Sequence, residues 1–389
     1  SRARLVGLLT GIIFLSMLSR LVFSPLLVYI QDEFVISQSQ AGSVFLIIAL
    51  GYSPGMLFSG FLTVKMRHRG VIILSLFMEA LGLVVAALSP SFSVMCLGVW
   101  LIGIGSGIYP PSGIASITET VSARRRGMAL AIHEIGPNVA FFAAPLLALF
   151  FYHRLGWRGI LLIVVCLNLF TALLYARRGT GGDSRGKTPQ LSRLLAVAKL
   201  REAWFIFGLF CIALCAVQGV FAILPMFLIK AKGLDPDTAN KLVSVSRISG
   251  IFILLVSGSL VDAFGARRVI LTAFLVSGAA TVFLGLAQGG LLIAAIIVQP
   301  SLMTAFFPAG LLIISQLGPP DSRNVTFSFI VNLAVLIGNG IMPTFFGFLG
   351  DLGVQPIGFG VLAAVTLFSA VCVYRARSFG SAAPPPRAS

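Results

Sequence analysis

The 389 residues are 58% apolar and only 10% charged, against about 25% charged in ordinary soluble domains. So little polar surface cannot clothe a soluble core, which excludes a water-soluble globular protein and points to an integral membrane protein. The net charge of +16, from 28 basic against 12 acidic residues, suits either a nucleic-acid face or the positive loops of a membrane protein, and the distribution of the charges separates the two.

A helix that crosses a bilayer needs about 20 apolar residues. Twelve stretches qualify in chain order: 5–30, 40–63, 71–89, 93–117, 128–152, 158–176, 204–229, 239–261, 269–287, 291–317, 325–350 and 356–374. The first is too long for a signal-peptide core and carries no small-residue cleavage pattern, so it is expected to stay as a span. The longest gap, rich in Gly, Ser and basic residues, falls between the sixth and seventh stretches. The expected organisation is a six-helix bundle over 1–176, a linker over 177–202, a second six-helix bundle over 203–376 and a disordered tail over 377–389. Within the linker, 191–200 is expected to form a short surface helix. Five cysteines all lie in apolar runs without metal-type spacing, so neither disulfides, a metal site nor a cofactor is expected.

With the amino terminus placed inside, twenty-one of the 28 basic residues fall in inner loops or tails and five at the outer ends of spans. That asymmetry predicts cytoplasmic termini and accounts for the net charge without any nucleic acid. The remaining two, Arg20 and Arg247, lie inside spans.

The chain also repeats itself at an offset of 198 residues. Gly60 aligns with Gly258, Arg69 with Arg267, Pro110 with Pro308, Arg125 with Arg323 and Pro145 with Pro343. Chance readily matches Leu and Val in apolar sequence, so the Gly, Pro and Arg matches carry the weight. Two parallel six-span copies are the architecture of transporters whose site lies at the midplane between repeats.

After the eighth span the sequence reads GSLVDAFGARR, from Gly258 to Arg268. This resembles the G-x-L-x-D-x-x-G-R-R loop of the major facilitator superfamily, with Asp262, Gly265, Arg267 and Arg268 in its positions. The resemblance covers almost the whole chain. It implies an all-α membrane protein of two six-helix bundles related by pseudo-two-fold symmetry, and casts those four residues as a conformational latch. The first-half loop, GFLTVKMRHRG, departs from the motif: Val64 stands for the Asp and Arg67 for the Gly. The fourth span, GIGSGIYPP, resembles the family's Gly-rich fourth helix but has Val99 where an Arg is usual. Gly136-Pro137 partly resembles a motif of exporters.

An ionisable residue in mid-span costs about 2.5–3.5 kcal/mol on insertion scales and normally lines a cavity or finds a partner. Arg20 and its repeat mate Gln218 lie at equivalent depth in symmetry-related helices and suggest a central site. Arg247 shares a helix stripe with Asn240 and Ser244. In the superfamily an Arg at about this place resembles the substrate-anion ligand of monocarboxylate, oxalate and nitrate/nitrite carriers, and a planar guanidinium suits a carboxylate through two parallel bonds. Glu134, with repeat mate Asn332, and the adjacent His133 are the candidates for proton coupling, although neighbours about 100° apart on a helix cannot both face one site squarely. Glu79 reads more readily as a packing or lipid-facing acid. Tyr52 and Tyr109 sit beside helix-breaking prolines, where a hydroxyl can meet a ligand.

Enzyme readings fail: Pro137 occupies the second ligand position of an H-E-x-x-H metalloprotease motif, and no P-loop is present. The expectation is a secondary transporter in a bacterial inner membrane, working by alternating access as a monomer. It would move a small organic anion with protons. Arg20, Arg247, Gln218, Asn332, Tyr52 and Tyr109 would bind substrate, and Glu134 or His133 would carry the proton. Drug efflux by a proton antiporter is the alternative, and a non-transporting receptor the third.

Overall fold

The computed structural model describes residues 2–179, 181–185, 199–314 and 323–376, which form helices and turns without a strand. We number the helices by the span they make. Helix α1 is Arg2–Phe34; α2 and α3 are the two limbs of Gln38–Ala87; α4 is Phe92–Thr120; α5 and α6 are the two limbs of Ala123–Arg178. In the second half α7 is Arg201–Lys230, α8 Pro236–Phe264, α9 Ala266–Leu286, α10 Gly289–Ile314, α11 Phe329–Asp351 and α12 Gln355–Arg375. Each of the twelve expected stretches falls on one of these helices to within a few residues, apart from 315–317 of the tenth, which lie outside the described residues. The expected surface helix over 191–200 lies almost wholly outside the described residues, and the tail over 377–389 lies outside them entirely.

Two rods bend back at single residues. Arg67 (φ 59, ψ 163) turns α2 into α3, and Gly156 (φ 63, ψ 178) turns α5 into α6. Gly265 (φ 81, ψ 148) turns α8 into α9. Arg67 is Gly265's repeat mate, so the departure from the loop motif leaves the backbone turn intact but puts a side chain into a conformation that is nearly glycine-only.

Prolines interrupt the helices where the halves meet. Pro25 deprives the Leu21 carbonyl of its intrahelical donor, and α1 breaks at Val22. Pro225 in α7 likewise frees the carbonyl of Phe221, which accepts a 2.7 Å bond from Ser24 Oγ of α1. A polar side chain from the opposite half thus satisfies a backbone group that lipid could not. Residues Cys215–Gly219 of α7 and Leu336–Ile341 of α11 form π-helical turns, each just ahead of such a proline.

Close helix approach within and between the halves rests on small residues, as expected where lipid supplies no hydrophobic drive for association. A Cβ on Gly51 of α2 would lie 2.3 Å from the Trp100 carbonyl of α4, and one on Gly103 2.2 Å from the Ile48 carbonyl. Between the halves, a Cβ on Gly347 of α11 would lie 2.2 Å from the Gln38 carbonyl of α2.

The apolar core differs at the two ends. At the end away from the termini one buried cluster joins both halves, from Leu15, Leu27, Phe45 and Phe141 to Phe221, Phe227 and Phe359. At the terminal end the halves keep separate clusters. One surrounds Leu5, Leu9, Ile117 and Tyr175. The other surrounds Phe210, Phe274 and Phe306, and takes only Tyr52 and Met56 from the first half. The molecule is therefore closed at the far end and divided at the terminal end. Polar ties reinforce the closed end. Asp351 accepts from the backbone N–H groups of Gln38 (2.6 Å) and Ser39 (3.0 Å), capping α2 from the other half. Lys230 pairs with Asp32 at 3.0 Å and His153 with Asp237 at 3.3 Å. Ser39 and Asp237 are repeat mates, and so are His153 and Asp351, so two of these ties occupy pseudo-symmetric places.

Candidate functional site

Two pockets lie between the halves, on either side of the π-helical turn of α7. Gln218 faces the first and its neighbour Val217 the second. The extra residue in each π turn turns side chains that a regular helix would aim elsewhere. Here the two turns bring Gln218 and Asn339 together, with Asn339 Nδ2 donating to Gln218 Oε1.

The first pocket encloses about 400 Å³ including its mouth and is lined by Arg20, Tyr52, Gln218 and Asn339 among apolar neighbours. The Arg20 guanidinium lies 5.0 Å from the centroid of the Tyr52 ring. Its Nε donates to the Ser16 carbonyl at 3.4 Å, and Nη2 approaches Met17 Sδ at 3.4 Å. None of the described acidic side chains pairs with it.

The second pocket, of about 260 Å³, is lined by Arg247, Asn138, Phe141, Ser246 and Thr304 among others. Arg247 is only 6% exposed. Its guanidinium sits 4.7 Å from the Phe221 ring and 5.2 Å from the Phe141 ring, so aromatic faces stand where a carboxylate is usual. Its Nε and Nη2 are buried without a hydrogen-bond partner, and no described acid pairs with it. Buried unpaired donors of this kind are costly unless a ligand uses them.

The two arginines therefore face adjacent pockets rather than one. Gln218 and Tyr52 lie where the sequence places them, beside Arg20. Tyr109 and Asn332 do not line either pocket. Tyr109 is fully buried, and its hydroxyl meets the Leu9 carbonyl and His133 Nε2, each at 2.9 Å. Asn332 donates to the Ser53 carbonyl at 3.4 Å. The stripe beside Arg247 is used structurally, with Ser244 Oγ donating to the Phe142 carbonyl across the halves.

His133 and Glu134 do point apart, one inward and one outward, yet they touch. The imidazole is buried and stacks on Tyr109, while the Glu134 side chain is 59% exposed and places Oε1 3.3 Å from His133 Nδ1. Asn339, Asn138 and Thr304 escaped the sequence reading as pocket residues. Two had a signal: Asn339 lies seven residues from Asn332 on one helix face, and Asn138 one turn from Glu134. Thr304 depends on how α10 is rotated, which sequence does not display.

Of the four motif residues at the α8–α9 turn, Gly265 makes the turn and Arg267 donates to the Val373 (3.3 Å) and Tyr374 carbonyls at the end of α12. Asp262 and Arg268 are exposed and form no ion pair with a described residue.

Twelve helices among the described residues, with pockets between the first six and the last six, define the class of helical membrane carriers. The family model of the Major Facilitator Superfamily matches residues 9–256 and 206–389, and the chain belongs to that superfamily, whose members are transporters and not enzymes. It is 23% identical over 239 residues to the nitrite extrusion protein of Bacillus subtilis (strain 168), a match covering 60% of this chain and 59% of that protein. It is 30% identical over 128 residues to the fosmidomycin resistance protein of Escherichia coli (strain K12), covering 33% of this chain and 30% of that one. Among solved structures it resembles a bacterial homolog of the human lysosomal transporter Spinster, in an inward-facing and unoccupied conformation. There the TM-score is 0.79 at 17% identity, over 96% of this chain and 98% of that one.

Proposed function

We propose that the chain is a secondary transporter that moves a small anion across the bacterial inner membrane by alternating access, coupled to protons. The observation that carries this reading is Arg247, a buried guanidinium with two unpaired donors, no acidic partner and a pocket in front of it. A carboxylate or similarly planar oxyanion supplies two acceptors at the right spacing. Arg20 offers a second positive charge next door, with Gln218, Asn339 and Tyr52 available for hydrogen bonds. The similarity to a protein named for nitrite extrusion supports an anionic substrate.

The surplus of basic residues at the terminal end supports a cytoplasmic location for that end. The present form, divided at that end, is then inward-facing. His133 and Glu134 carry the proton in this scheme, since Glu134 is exposed and bonded to a buried imidazole. The similarity to a fosmidomycin resistance protein favours export as a second reading. Lipophilic cations are poor candidates for it, because two arginines would repel them.

Proteoliposome uptake of labelled mono- and dicarboxylates tests the proposal. Arg247→Gln and Arg247→Lys should each lower uptake at least tenfold, since Lys keeps the charge but loses the fork. Unchanged uptake in a folded Arg247→Gln variant sinks the assignment.

A further inference from the structure

Glu79 lies within α3, fully buried, with neither carboxylate oxygen hydrogen-bonded. Of the two settings its sequence context allows, helix packing and lipid, it occupies the first. Ser16 and Ser19 of α1 lie against it. Ser19 Oγ accepts a 3.1 Å bond from Asn168 Nδ2 of α6 and donates to the Leu15 carbonyl at 2.9 Å. Ser16 Oγ and Asn168 Oδ1 are themselves buried and unpartnered. On α4, Gly105 admits the acid side chain: a Cβ there would stand 2.8 Å from Glu79 Cγ. The charged or titratable groups that face Glu79 from the packed helices are Arg20 on α1 and Tyr109 on α4, both close enough to act electrostatically. No described basic side chain forms an ion pair with it.

A carboxylate held there as an ion would be a fully buried charge with only the Ser16 and Ser19 hydroxyls beside it, whereas a carboxylic acid is neutral and can donate to the oxygens around it. We propose that Glu79 is a buried proton-binding site behind Arg20, separate from the His133–Glu134 pair, which serves as its entrance. This rests on the proton-coupled reading above and names the group that holds the proton. Glu134 Oε1, His133 Nδ1, His133 Nε2 and the Tyr109 hydroxyl form a connected line from the exposed Glu134 side chain inward as far as Tyr109, with steps of 3.3 and 2.9 Å. Gly105, against which Glu79 packs, is one helical turn from Tyr109 on the same face of α4. In the net step a hydronium ion in the cavity loses one O–H bond, becoming water, and the Glu79 carboxylate gains one, becoming the acid. Deprotonated, Glu79 draws the Arg20 guanidinium away from the first pocket. Protonated, it leaves Arg20 free to hold the anion.

Infrared difference spectra of the full-length chain in lipid nanodiscs, recorded against pH without any substrate, test this directly. The expected result is a carbonyl stretch of a protonated buried carboxyl that shifts in deuterium oxide, titrates, is lost in Glu79→Gln and persists in Glu134→Gln. Should Glu79→Gln fail to fold, Glu79→Asp should keep the band at a shifted position and midpoint. The proposal is overturned if the band survives Glu79→Gln, if Glu79→Asp leaves it unmoved, or if sodium chloride abolishes it at constant pH where choline chloride does not. That last outcome would make the site one for a metal cation. Because no substrate is present, a titrating Glu79 band in a protein without proton-linked uptake would defeat the transport reading and leave the proton site standing.

Discussion

Arg69 donates to the carbonyl of Ala176 at 2.6 Å, and its repeat mate Arg267 donates to the carbonyl of Tyr374, which is the repeat mate of Ala176. Both bonds tie the turn after the second helix of a half to the last carbonyls of that half's sixth helix, where the helix dipole favours a cation. The internal repeat is thus preserved at the level of individual bonds.

The two turns differ in one respect that stability measurements can read. Arg67 holds φ 59, ψ 163 where Gly265 holds φ 81, ψ 148. A side chain in that region costs about 1–3 kcal/mol. Arg67→Gly is therefore expected to raise the melting temperature, and Gly265→Ala to lower it, in a thermal-shift assay in detergent. A fall on Arg67→Gly would mean that the Arg67 side chain contributes more than its backbone costs.

At the closed end, Gly347 has no room for a methyl group, since the nearest atom is the backbone oxygen of Gln38, which cannot swing away. Gly347→Ala should force α11 from α2 and weaken the bonds from Gln38 and Ser39 to Asp351. Spin-label distances across that end should lengthen, with the population shifting toward the form open there. Asp351→Asn should shift it the same way by a smaller amount.

Asp235 caps α8, accepting from the Thr238 N–H at 2.9 Å. The Thr238 side chain, together with that backbone bond, holds its carboxyl below the usual range. A depressed acid stabilises the fold above its unfolded value, and the contribution is lost as pH falls through the folded value. Protection of the first α8 amides against hydrogen exchange should decline on acidification from mildly acidic pH downward. Asp235→Asn, which caps without ionising, should flatten that dependence.

Arg247→Met replaces an unpaired buried cation with an apolar chain of similar length. Leaving the two donors unsatisfied costs roughly 1–3 kcal/mol, so this variant should melt higher than the parent while losing anion uptake. A variant that melts lower would show that the Phe141 and Phe221 rings stabilise the cation more than burial disfavours it.

Much of this architecture was legible in the sequence because it follows from short-range rules. Span length, loop charge and the 198-residue offset need no tertiary information, and Arg20 and Arg247 stand out because charge is expensive in mid-span. What stayed hidden depends on helix rotation and long-range contact. Arg20 and Arg247 read as one site, yet the π-helical turn of α7 parts them. Tyr109 read as a pocket ligand, yet α4 turns it toward Leu9 and His133. Glu79 read as a packing or lipid-facing acid, but its neighbours stayed hidden, because Ser19 and Asn168 come from α1 and α6, far away in the chain.

The apolar cluster shared by both halves at one end only also has a thermal consequence. In the alternating-access cycle proposed above, opening that end to water exposes a cluster whose mates at the other end are already apart, so the two access states differ in buried apolar surface and hence in heat capacity. Their balance then bends with temperature instead of following a straight van 't Hoff line. The exchange rate between them inherits that curvature, and a transport rate measured at one temperature extrapolates poorly to another.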